Sequence, residues 1–213
     1  MRKDPAFEII TPFDAFERAS QGADEESGCL LWAYLIGSFL AGVHIEMGIY
    51  DDAEKILVKL LDWQERPALE ELSDLDEQKA GVWYMYGRCL WQQDRDSEAQ
   101  PWLKKAIPWN ANAEIIYGIC LGDVAQKTKK IDDFADSATH LLHAVDRKLP
   151  KDERLEAAAC RLIALQARLG LGVKMDMNAS YSWMQRAAEG GDEVAQAELK
   201  RYHKKLFGGY TYR

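Results

Sequence analysis

The sequence predicts an all-α fold of stacked helical hairpins, and three observations carry that prediction. Apolar residues recur at helical spacing along nearly the whole chain of 213 residues. The 6 prolines and 15 glycines are few, and they cluster between the apolar runs. A joint also repeats. Glu17-Arg-Ala-Ser-Gln-Gly-Ala-Asp-Glu25 returns as Gln185-Arg-Ala-Ala-Glu-Gly-Gly-Asp-Glu193, five of nine positions identical at an offset of 168 residues. That offset is close to five units of about 34 residues.

The elements follow in order. Helices are predicted at 12–21, 25–47, 50–64, 75–93, 96–107, 112–127, 132–148, 152–169, 177–189 and 192–206. Thr11-Pro12 caps the first, with proline in the first turn. The second contains Gly28 to Ile45, eighteen residues without Asp, Glu, Lys or Arg. Asp24-Glu25-Glu26 before it and Glu46 after it argue against membrane insertion, so a helix buried on several sides is expected. The connection after Arg66-Pro67 is long, and residues 68–72 add a helical turn. Asp152-Glu153 and Asp192-Glu193 put negative charge at helix starts. The layout is one repeat domain over residues 1–213, with an extension at 1–11 and a tail at 207–213.

Particular residues resemble known repeats. Trp83-x-x-Tyr86-Gly87-x-x-Leu90 followed by Ala99-x-x-x-Leu103-x-x-Ala106 resembles the tetratricopeptide repeat (TPR). Gly48-Ile-Tyr50-Asp-Asp-Ala53-x-x-x-Leu57-x-x-Leu60 matches the turn and second helix of that unit, though Gly37 stands where a large residue is usual. Ala138-x-x-x-Leu142-x-x-Val145 with Pro150 matches another second helix, whose partner around Tyr117-Gly118 fits only with an insertion near 127–133. From Leu169 to Leu199, Gly170-x-Gly172, Asp176, Trp183, Ala187-Ala188-Glu189, Gly191 and Ala195-Gln196 resemble the Sel-like repeat, a TPR relative. The resemblance implies a right-handed α-α superhelix of about five hairpins with a concave groove. It also implies a buried Trp183, facing Ile163, Ala164 and Ala167.

Composition narrows the function. Apolar residues make up 47% and charged residues 29%, values of a globular chain. The net charge of −8 disfavours nucleic acid and anionic lipid as partners. It is unevenly spread: residues 1–75 carry 16 acids against 6 bases, whereas Lys200, Arg201, Lys204, Lys205 and Arg213 form a basic tail. Cys29, Cys89, Cys120 and Cys160 are far apart, each in an apolar run. They read as free buried thiols of a cytoplasmic protein.

No set of residues for catalysis or cofactor binding is found. Gly170-Leu-Gly172 lacks the third glycine and preceding strand of a dinucleotide loop. His140 and His143 stand three apart on one helix with no third metal ligand near in sequence.

The candidate site is instead a surface. Tyr84, Arg88 and Trp91, spaced i, i+4 and i+7, share one side of a helix. In TPRs that side of a first helix lines the groove, so the resemblance assigns partner binding to Tyr84, Arg88, Trp91 and Gln92. The other reading is that Trp91 packs on a neighbouring helix and Arg88 covers it. The Lys and Asn positions that clamp carboxylates in some TPR grooves hold Ser38, Gly42 and Met85 here. The expected function is a non-enzymatic scaffold binding a peptide or helix of a partner protein. The alternatives are an inhibitor, immunity or chaperone-like protein that occludes one partner and, more remotely, a metal-dependent enzyme.

Overall fold

The computed structural model describes residues 16–18, 27–66, 75–206 and 208–213. The Thr11-Pro12 cap, most of the first echo, the connection at 67–72 and the extension at 1–11 lie outside these. The chain divides into two compact units, residues 1–89 and 90–213.

In the first unit, α1 (Ser27–Glu46) packs on α2 (Tyr50–Gln64), and α3 (Asp76–Trp91) follows. Gly48 closes the turn between α1 and α2 at φ +74°, and Asp51 and Asp52 occupy the first turn of α2. Helical spacing puts Ala53, Ile56, Leu57, Leu60 and Trp63 on the buried face of α2. They meet Leu30, Ala33, Tyr34, Leu40, Ala41 and Ile45 of α1, with Phe16 in the same cluster. Gly37 is explained by that packing. A β-carbon there would lie 2.5 Å from Phe16 Cε2 and 3.0 Å from Leu60 Cδ2. One buried polar link ties all three helices: Gln64 Nε2 donates to the Tyr34 hydroxyl at 2.6 Å and to the Lys79 carbonyl at 3.3 Å. Burial pushes the Tyr34 hydroxyl up to about 12, against the hydrogen bond from Gln64.

The expectation for α1 needs correction. It is apolar all round, but only one face is covered. Trp32, Leu35, Ile36, Phe39, Val43 and Met47 are exposed.

In the second unit each helix packs on the next: α4 (Asp96–Ala106), α5 (Ala111–Thr128), α6 (Ile131–Asp146), α7 (Glu153–Leu169), α8 (Met177–Glu189) and α9 (Glu193–Leu199). α5 also touches α7, as stacked hairpins require. The side chains of Asn110, Asp152, Asp176 and Asp192 cap α5, α7, α8 and α9 by accepting from first-turn amides. No inserted loop follows Tyr117-Gly118. α5 continues to Thr128, Lys129 takes the left-handed conformation at φ 57°, and α6 begins two residues later.

Two further expectations are corrected here. Trp183 is half-buried, not enclosed. Ser180, Met184 and Ala187 are the buried face of α8, and Met184 joins Ile163 and Ala164 in the core. Trp183 lies at the edge of that face, with the Arg186 guanidinium 5.5 Å from its ring. The last helix stops at Leu199, not 206. The basic tail returns as a two-stranded antiparallel ribbon, β1 (Tyr202–Lys204) and β2 (Tyr210–Tyr212), with Tyr202 opposite Tyr212. The Tyr202 hydroxyl lies 2.6 Å from buried Ser180 Oγ, which donates to the Ala164 carbonyl at 2.7 Å. Tyr210 stacks on Tyr181, rings 3.8 Å apart.

Cys89, Cys120 and Cys160 are buried free thiols. Burial pushes Cys120 up to about 12 and Cys160 up to about 11, which removes thiolate reactivity near neutral pH.

Candidate interaction surface

Within the first unit α1 and α3 approach each other at Gly42 and at Glu46. Gly42 has no side chain, and a β-carbon there would be in ordinary contact, 3.7 Å, with Met85 Sδ. One turn further, Arg88 Nη1 donates to Glu46 Oε1 at 2.6 Å. Arg88 is a quarter exposed and Glu46 two-thirds exposed, so solvent screens the pair and its net stabilisation is small, below about 1 kcal/mol. Tyr84 is half-buried on the same helix. Trp91 is the half-buried last residue of α3, and Gln92 is exposed in the turn beyond it. Tyr84 and Arg88 therefore belong to the first unit, Trp91 and Gln92 to the second. The Ser38 hydroxyl donates to the Tyr34 carbonyl of its own helix at 2.8 Å.

Sequence reasoning missed Glu46 as the partner of Arg88, because the two are 42 residues apart. It also missed the exposed apolar face of α1. The signal was present: a helix that is uncharged from Gly28 to Ile45 and apolar at every angle has more apolar surface than one neighbour covers.

His140 and His143 do come together, on the carboxylate of Glu114. Glu114 of α5 is buried, at 2% exposure. Its Oε1 accepts from His140 Nδ1 at 3.1 Å and His143 Nδ1 at 2.8 Å, and its Oε2 from Arg147 Nη1 at 3.1 Å. Burial pushes the Glu114 carboxyl up, but the bonds from His143, His140 and Arg147 outweigh it, so it titrates below its usual range. Arg147 also donates to the carbonyls of Ile107 at 2.6 Å and Pro108 at 2.9 Å. The cluster ties α6 to the start of α5. Among the described residues no group of three His, Cys, Asp or Glu is placed to hold a metal ion. Gly170 and Gly172 are a hairpin loop, both at φ +69°.

No family model matches the sequence, and no curated protein matches it. Among solved structures, YrrB, described as a TPR protein with an unusual peptide-binding site, is similar over 90% of this chain and 87% of that one, with 16% identity and a TM-score of 0.54. The fold is TPR-like. The helical-repeat reading of the sequence is thereby met: helices succeed one another, pack on their sequence neighbours and, where α5 touches α7, on the helix two along. No described helix is long and apolar enough to cross a membrane.

Proposed function

We propose that the protein is a non-enzymatic, cytoplasmic interaction module that binds a peptide or helix of a partner protein. The observation that carries this is the side-by-side placement of α1 and α3 through Gly42–Met85 and Glu46–Arg88. In a helical-repeat stack, such adjacency of successive first helices builds a preformed groove, and a rigid groove loses little entropy on binding. The likeness to a TPR protein described as having a peptide-binding site supports the same reading. Tyr84 and Arg88 are the groove anchors in this proposal, being residue types that dominate interface energetics.

The experiment is affinity capture with the full chain from its native host, then titration calorimetry of the captured protein against wild type and Arg88→Ala. Wild type binds, and Arg88→Ala weakens binding by roughly thirtyfold, about 2 kcal/mol. Failure to capture any stoichiometric protein sinks the reading. Equal affinities for the two forms remove Arg88 from the site.

A further inference from the structure

We infer that the uncovered face of α1 docks an amphipathic helix whose apolar stripe is bracketed by Lys or Arg at both ends. This rests on the interaction-module reading and names the partner class and a surface for it.

The face is large and continuous. Trp32 is 69% exposed, Phe39 71% and Met47 67%, with Leu35, Ile36 and Val43 exposed between them. They recur at helical spacing over four turns, roughly 22 Å at 1.5 Å per residue. Their exposed area is on the order of 600 Å², the upper end of what a monomer leaves in water and close to one side of a standard interface. Gly42 leaves a notch beside Phe39 and Val43, in an open groove of about 440 Å³. A helix laid along α1 would seat a side chain there, as helix-in-groove recognition does.

Charge selects the occupant. Between Arg18 and Lys55 the sequence has no Lys or Arg and seven acids. Asp24, Glu25 and Glu26 precede the apolar run, and Glu46, Asp51, Asp52 and Glu54 follow it. The run itself, Gly28 to Ile45, is uncharged. A second copy of the chain would set acidic ends against acidic ends in either a parallel or an antiparallel pairing. An anionic membrane is repelled in the same way. A helix with Lys or Arg at its ends complements the acids that flank the run in sequence, with apolar contact between.

The test uses the full chain and three 18-residue synthetic peptides. The first is an amphipathic Leu/Phe helix with Lys at both ends, the second the same helix with Glu at both ends, and the third a scramble of the first. Fluorescence anisotropy reads binding to wild type, Phe39→Ser and Arg88→Ala, with matched circular dichroism and denaturation midpoints showing that the variants fold. The Lys-ended helix binds wild type at least tenfold more tightly than either control. Phe39→Ser weakens it at least tenfold, and Arg88→Ala, which frees the Glu46 carboxylate beside the groove, does not weaken it. Equal binding of all three peptides, or no binding, overturns the inference. Binding lost in Arg88→Ala but kept in Phe39→Ser also overturns it, and leaves the groove reading standing. Sedimentation and flotation close the other routes. A dimer of the free chain that Phe39→Ser dissolves, or uptake by phosphatidylcholine–phosphatidylserine vesicles that depends on Phe39, assigns the face to a second copy or to lipid and overturns the inference.

Discussion

Gly172 lies directly against the backbone of Ala135: a β-carbon on the glycine would sit 2.3 Å from the Ala135 nitrogen. The loop after α7 thus touches the first turns of α6, and at φ +69° only glycine fits without strain.

Gly172→Ala should therefore destabilise the protein by about 3 kcal/mol or more, strain and clash together. Gly48→Ala is the control. Gly48 has a similar φ of +74°, but a β-carbon added to it would meet nothing within 4 Å, so only the conformational term, about 1 kcal/mol, applies. Urea denaturation of both variants checks this, and equal losses would show that the loop moves away freely.

Met184 and Trp183 should separate in the same assay. Met184 is fully buried, so Met184→Ala empties a core site and destabilises by about 2–5 kcal/mol. Trp183 is half-buried at the edge of the core, and Trp183→Ala should lose less, about 1–2 kcal/mol, with the Arg186 contact included. A larger loss at Trp183 than at Met184 would contradict the register of α8.

Why the fold was readable and the surfaces were not follows from the range of each signal. Caps such as Asp152 and Asp176 act within three residues, and the predicted start of the helix at 177 coincides with α8. The apolar face of α2 is likewise local. Long-range pairs leave no such trace. The spacing of His140 and His143 put them on one face, but Glu114, 26 and 29 residues earlier, shows in sequence only as an acid in the apolar run Ala113–Tyr117. The ribbon was missed because strands of three residues are too short to show alternation. Gly208-Gly209 between Tyr-rich segments was its only signal. For α1, periodicity was silent, since a helix apolar at all angles does not say which face is covered.

The Glu114 cluster predicts a pH dependence with a definite sign. The folded-state value of this carboxyl lies below its unfolded value. Its stabilisation is therefore fully present above the ordinary glutamate value of about 4.3 and is lost as pH falls through the folded value. Glu114→Gln removes that charge while keeping the shape. Its deficit in melting temperature against wild type should shrink as pH falls below about 4. A deficit that does not shrink below about pH 4 would mean that the carboxylate is not what the His and Arg side chains hold.

The C-terminal ribbon is structural, and its hydroxyl and aromatic contributions can be separated. Glu198 accepts from the Tyr212 hydroxyl and from Arg168 at 3.0 Å, and the Arg168 guanidinium lies 3.8 Å over the Tyr212 ring. The hydrogen bond from Tyr212, then that from Arg168, hold the Glu198 carboxyl below its usual range against the effect of burial. Tyr212→Phe keeps the ring under Arg168 and loses the hydroxyl, so it should destabilise by about 1–2 kcal/mol. Deleting residues 208–213 removes β2, uncovers Tyr202 and frees Tyr181 from its stack with Tyr210, and should lose distinctly more, about 3 kcal/mol or above. Thermal denaturation by circular dichroism compares the two. If the deletion melts with the wild type, the ribbon does not brace α8, and the tail is the exposed basic segment that its composition suggests.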